Sequence, residues 1–132
     1  LGQGRLSIEQ VVEVARNEVH VELTATAWEA VRNGRAVVEA LAGDDQPHSG
    51  ISTGFGALAT RHIPKESRVQ LQRSLIRSHA AGSGPEVERE VVRALMLLRV
   101  NTLASGRTGV RETTLRTYLA LLNYGITPVV HE

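Results

Sequence analysis

The sequence predicts a mainly α-helical chain with short β-strands near a glycine-rich loop. Three observations carry this expectation. Apolar residues return every three or four positions in five segments. Prolines stand near the starts of two of those segments and glycines at the ends of three. Strict alternation of apolar and polar residues is confined to short stretches. With 132 residues the chain suits one domain spanning residues 1–132.

The elements follow in order. Ser7-Ile8-Glu9-Gln10 is a capping-box pattern, and Ile8, Val11, Val12 and Ala15 continue at helical spacing, so a helix is expected to about Asn17. Val19, Val21 and Leu23 alternate with His20 and Glu22, the pattern of a half-buried strand. Thr24 or Thr26 caps a second helix, with Trp28, Val31, Val38 and Leu41 on its apolar face and Gly43 at its end. Asn33-Gly34 is a point at which this helix could split. After a polar loop, Gly50 to Gly56 holds three glycines in seven residues, with Ile51 as a candidate strand residue.

Three further helices are expected. Pro64 suits the first position of one whose shared face is Val69, Gln72, Leu75, Ile76 and His79. Pro85 opens the next, with a stripe of Val87, Val91, Ala94, Leu95, Leu98 and Thr102 and a stop at Gly106. Thr113 to Asn123 forms the last, with Leu115, Leu119 and Leu122 inward and Gly125 as its stop. Thr127 to Val130 then extends, since Pro128 excludes an ordinary helix interior there.

Composition narrows the function classes. Hydrophobic residues are 42% and charged residues 22%, the balance of a globular chain. The formal net charge is +1 and aromatics are 3%, which argues against a polyanion binder and against a base-stacking surface. There is no cysteine, so no disulfide, thiolate metal site or cysteine nucleophile exists. No apolar run approaches the roughly 20 residues of a membrane helix. Neither a nucleic-acid nor a membrane partner is expected. The chain starts at Leu1 without a Met or a signal-peptide core and stops at Val129-Val130-His131-Glu132. It is therefore expected to be a piece of something longer.

Several residues invite chemical readings. Gly54-Phe55-Gly56-Ala57-Leu58-Ala59 fits GxGxxA, but Pro64 interrupts the helix a dinucleotide site needs, and no acid stands near residue 76. A glycine-rich surface turn and a flexible active-site loop remain as readings. The histidines, His20, His48, His62, His79 and His131, include no pair spaced i, i+4, so no metal site is expected. His79 precedes Ala80-Ala81-Gly82-Ser83-Gly84 and by itself reads as a helix-terminal charge or a packed imidazole. Of 15 basic residues only Lys65 is lysine. Arg68, Arg73, Arg77, Arg89, Arg93, Arg99, Arg107, Arg111 and Arg116 are interleaved with glutamates, a mixture that reads as solvated helix faces and interhelix pairs.

Gly50-Ile51-Ser52-Thr53-Gly54-Phe55-Gly56 resembles the loop motif of the aromatic amino acid ammonia-lyases. Residues 71–82, 89–101, 105–111 and 121–130 resemble the blocks that follow it in that family, in the same order. The resemblance covers most of the chain. It implies the helical N-terminal portion of the ammonia-lyase fold, cut from a longer, cytoplasmic, homotetrameric carbon–nitrogen lyase. Ser78-His79 is similar to the histidine ammonia-lyase (histidase) type, where phenylalanine and tyrosine lyases carry other pairs. That implies L-histidine as substrate and urocanate and ammonia as products, in histidine catabolism. His79 and Ser78 would then bind substrate, and the loop of Thr53, Gly54, Phe55 and Gly56 would close over it.

Two departures from the family pattern stand out. The family's cofactor, the electrophile 4-methylidene-imidazole-5-one (MIO), forms from an internal Ala-Ser-Gly. Ala104-Ser105-Gly106 spells that tripeptide but falls in an earlier block. The cofactor-forming triad is expected after Glu132, leaving no cofactor in this chain and the isolated piece inactive. Ser49 occupies the position of the family's catalytic tyrosine, which takes the β-proton. A serine hydroxyl is far less acidic than a phenol and lacks its reach. The resemblance thus leaves two alternatives: a lyase-like protein without catalysis, or an MIO-dependent lyase or aminomutase for another aromatic amino acid.

Overall fold

The computed structural model describes residues 1–2 and 4–132; Gln3, within the N-terminal stretch read above, lies outside them. Five α-helices account for most of the described chain: α1 (Ile8–Arg16), α2 (Ala25–Gly43), α3 (Lys65–His79), α4 (Arg89–Ala104) and α5 (Glu112–Asn123). The chain forms two compact units, one of Leu1–Arg35 with Ser83–Glu132 and one of Ala36–Gly82.

In the first unit, α1 begins as its sequence dictates. Ser7 Oγ accepts the Gln10 N–H at 3.2 Å and Gln10 Oε1 accepts the Ser7 N–H at 2.9 Å, a reciprocal capping box. Thr24 caps α2, its Oγ1 accepting the Ala27 N–H at 3.1 Å. The Asn33-Gly34 pair does not divide α2, which runs unbroken. Gly34 stands there because a Cβ at that position would overlap the Gly106 carbonyl oxygen. The turn after α4 thus lies directly on the backbone of α2.

α4 packs against both α1 and α5. One of its flanks joins Val14, Val21, Val92, Met96, Leu97 and Leu122 in a buried cluster. The other joins Leu23, Ala27, Val31, Val100, Ala104 and Leu115. The buried face is therefore Val92, Arg93, Met96, Leu97, Val100 and Ala104. The expected stripe is rotated from this: Val91, Leu95 and Leu98 are exposed. The sequence Val91-Val92-Arg93-Ala94-Leu95-Met96-Leu97-Leu98 is apolar nearly all round, so its periodicity does not single out one face.

Arg93 decides the orientation. It is 1% exposed, and its guanidinium donates to the carbonyls of Val14 (Nη2, 2.8 Å; Nε, 3.2 Å), Ala15 (Nε, 3.3 Å) and Leu122 (Nη1, 3.0 Å). These carbonyls lie in the last turns of α1 and α5, past the regular i+4 donors and at the negative end of the helix dipole, although that of Leu122 also accepts the Gly125 N–H at 3.2 Å. A fork of N–H groups meets both needs. Arg93 is thus a buried clamp, not part of a solvated face.

Residues 19–23 form no strand. Val21 and Leu23 are buried as the alternation implies, but the ladder partner is absent. Instead the Asn123 side-chain amide accepts the Val21 N–H and donates to the Val21 carbonyl, both at 2.9 Å. Pro85 does not open α4 either; that helix begins at Arg89. The segment around Pro85 pairs with the extended C-terminal residues: Val87 N–H donates to the Val130 carbonyl at 2.8 Å and Glu132 N–H to that of Pro85 at 3.3 Å.

In the second unit, Pro64 is the cap residue of α3, one position before the helix proper. Its expected inward face is not buried: Val69, Gln72, Ile76 and His79 are exposed, while Arg68, Leu71 and Leu75 are half-buried. Arg68 ties the unit together, with Nε donating to the Ile63 carbonyl and Nη1 to that of Ala42, each at 3.1 Å. The short strands expected near the glycine-rich loop reduce to one antiparallel bridge, Thr53 with His62.

Candidate functional site

The glycine-rich loop is held by its own small polar residues. Ser52 and Thr53 are buried. Ser52 Oγ accepts the His48 N–H at 2.9 Å, and Thr53 Oγ1 accepts the Gly50 N–H at 3.1 Å. The His48 carbonyl accepts the N–H groups of Ile51 and Ser52, both at 3.0 Å, which closes a tight turn around Ser49 and Gly50. Ser49 is exposed on that turn. On the return side, Gly54 N–H donates to the Arg61 carbonyl and Ile63 N–H to that of Ser52.

Gly54 is required by packing. A Cβ there would lie 2.6 Å from the Leu58 Cβ, within the single 3-10 turn Gly56–Leu58. Thr53, Gly54, Phe55 and Gly56 therefore run from a buried anchor to an exposed tip, with Phe55 40% exposed.

Beside Ser49 lies a pair that sequence reading passed over. His48 Nε2 is 3.0 Å from Asp44 Oδ2. The carboxylate only accepts, so Nε2 carries the hydrogen. The Gln46 backbone N–H, at 3.1 Å from Oδ1, and then the His48 ring hold the Asp44 carboxyl below the usual carboxylate range. The i, i+4 spacing of Asp44 and His48 was the available signal, but Pro47 and the absence of a helical pattern around it removed any reason to pair them.

Ser78 and His79 close α3. His79 Nδ1 lies 2.9 Å from the Leu75 carbonyl, so that nitrogen carries the hydrogen and Nε2 keeps its lone pair. Ser78 Oγ donates to the same carbonyl at 2.9 Å and lies 2.9 Å from His79 Nδ1. The imidazole is thereby fixed in tautomer at an exposed helix end. Among the described residues, no hydrogen bond or ion pair joins Ser78 or His79 to residues 48–56.

Ala104-Ser105-Gly106 does not suit formation of a cyclised electrophile. It caps α4: Ser105 Oγ donates to the Thr102 carbonyl at 2.7 Å, and Gly106 N–H, the nitrogen cyclisation would need, donates to the Leu103 carbonyl at 3.2 Å. Its backbone sits closely on α2, where a Cβ at Gly106 would overlap the Ala30 carbonyl. Among the described residues, no cluster of three or more His, Asp or Glu side chains could hold a metal ion. Nor is any helix among them long and apolar enough to cross a membrane.

Comparison with known proteins places this geometry. The family model for aromatic amino acid lyases matches residues 6–132. The chain is 58% identical over 132 residues to histidine ammonia-lyase of Streptomyces griseus, covering all of this chain and 26% of that protein. The chain thus spans about a quarter of the length of the curated relatives it matches. Among solved structures it is similar to tyrosine aminomutase of Streptomyces globisporus (TM-score 0.89, 35% identity, 96% of this chain and 24% of that one). It is also similar to histidine ammonia-lyase of Trypanosoma cruzi (TM-score 0.80, 32% identity, 89% and 22%). The helical N-terminal architecture, the glycine-rich loop and the ordered blocks after it agree with this match along nearly all of the chain: the chain belongs to the aromatic amino acid lyase family.

Proposed function

We propose that this chain is the N-terminal part of a histidine ammonia-lyase, which removes ammonia from L-histidine without oxidation to give urocanate. The observation that carries the reading is the Ser78-His79 pair at the exposed end of α3. With Nδ1 bound to the Leu75 carbonyl, His79 Nε2 is an acceptor for the ring N–H of an imidazole substrate. Similarity along the whole chain to histidine ammonia-lyases supports the same substrate.

The remaining roles follow from this reading. The loop of Thr53 to Gly56 covers the bound amino acid, and Ser49 stands where the family's proton-accepting tyrosine would be. The whole protein is a cytoplasmic homotetramer of histidine catabolism, and its MIO electrophile arises from an Ala-Ser-Gly outside residues 1–132. The isolated chain is accordingly inactive. The test is ultraviolet detection of urocanate when the whole protein, with Ser49 retained, is given L-histidine. Steady accumulation supports the reading, and none from folded protein overturns it. Ser49 favours one second reading, a lyase-like protein without catalysis; the same assay, run on a panel of aromatic amino acids, separates the two.

A further inference from the structure

We propose that the His48–Asp44 pair is the proton acceptor that replaces the missing tyrosine at position 49. The inference rests on the lyase reading above and deepens it. A lyase of this kind must take a proton from the substrate's β-carbon, and Ser49 cannot hold it. His48 precedes Ser49 directly, and three contacts fix it. Its backbone N–H goes to the buried Ser52 Oγ, its carbonyl accepts the Ile51 and Ser52 N–H groups, and its ring Nε2 goes to Asp44 Oδ2. Nδ1 has no hydrogen-bond partner among the described residues, and its lone pair is the one left to take a proton. The arrangement is that of a base oriented by a carboxylate, which fixes the tautomer and offsets the imidazolium charge once it forms.

The proton and electron balance of the step is closed within the substrate and the pair. The substrate Cβ–H bond breaks and the proton goes to His48 Nδ1. The electron pair left on carbon becomes the second bond between Cα and Cβ, and the Cα–N bond of the substrate's α-ammonium group breaks with its pair departing as neutral ammonia. Asp44 stays ionised beside the imidazolium until the proton passes to the released ammonia. The side chain of His48 is 26% exposed, which leaves the ring reachable by a small substrate.

The test uses the whole protein with L-histidine unlabelled and deuterated at the β-carbon. His48→Gln is expected to lower kcat about 100-fold or more with KM changed less than about threefold, and to enlarge the isotope effect on kcat. His48→Gln combined with Ser49→Tyr is expected to regain at least about tenfold of that loss, which a merely structural role for His48 would not allow. Retention of kcat within about threefold in His48→Gln overturns the proposal while leaving the lyase reading intact. A loss expressed mainly in KM, or one that Ser49→Tyr does not relieve, overturns it too. A wild-type protein that turns over none of the aromatic amino acids sinks the underlying reading and this proposal with it.

Discussion

The side-chain amide of Asn123 meets the backbone of Val21 through two hydrogen bonds of 2.9 Å, doing for one residue what a neighbouring strand would do for several. The pair joins the end of α5 to the extended segment that carries Val21 and Leu23 into the two cores. Asn123→Ala is expected to leave a half-buried N–H and carbonyl without partners, costing about 2 kcal/mol of stability. Urea unfolding with an unchanged midpoint would show that water replaces the amide fully.

Removing the buried clamp should cost more. Arg93→Met keeps the side-chain length but strips donors from the Val14, Ala15 and Leu122 carbonyls. The expected loss is about 3 kcal/mol. Arg93→Lys should recover only part of it, because an ammonium cannot reproduce the planar fork that serves two helix ends. Equal stability of the Lys variant and wild type would refute the geometric argument.

Gly34→Ala tests the contact between α2 and the turn after α4. Helix propensity alone favours alanine by about 1 kcal/mol. The new Cβ would collide with the Gly106 carbonyl, and overpacking against backbone should win, for a net loss of about 2 kcal/mol. A rise in Tm for this variant would mean that the turn yields freely.

Stability should fall on acidification. Glu18, Glu90 and Glu112 are held below the usual carboxylate range by hydrogen bonds from Arg89, Arg16 and Arg116, Asp44 by the Gln46 N–H, and Glu9 by its own backbone N–H. A depressed folded-state pKa means the unfolded chain binds protons first. The stabilisation is therefore complete above the ordinary carboxylate pKa of about 4 and is lost as pH drops through the folded values. The groups are exposed or, at Glu112, half-buried, so single contributions are small. Denaturant midpoints should hold level from about pH 7 to 5 and decline below about 4. A midpoint that rises in acid would contradict the assignment.

The exposed apolar side chains of α4 predict behaviour in solution. Val91, Leu95 and Leu98 are 47%, 56% and 49% exposed along one line of the helix. Faces of this kind are uncommon on free monomers. The isolated chain is expected to self-associate as concentration rises, and Leu95→Glu with Leu98→Glu should suppress it. Light scattering that reports a monomer throughout would count against the prediction.

How much was legible in the sequence depended on whether local rules or distant partners set each feature. The capping box at Ser7 and the inward leucines of α5 are local, and they were readable. The strand at 19–23 was not, because alternation reports burial and says nothing of the hydrogen-bonding partner; here that partner is a single asparagine 102 residues away. The inward face of α4 was hidden by apolar residues on both sides and by a buried arginine that imitates a surface one. At the candidate site, Ser49, His79 and the loop came from the family resemblance, while Asp44 and His48 meet only once Pro47 has bent the chain between them.

The shared arginine has one more implication. Helix ends ordinarily fray first and independently, since each last turn is anchored on one side only. In this chain the last turn of α1 and that of α5 draw on one guanidinium from the middle of a third helix. Opening either terminus takes acceptors from a guanidinium that is itself buried, so it costs more than fraying an ordinary helix end. One side chain of α4 thereby raises the cost of opening at the ends of two other helices, each of which would be marginal alone.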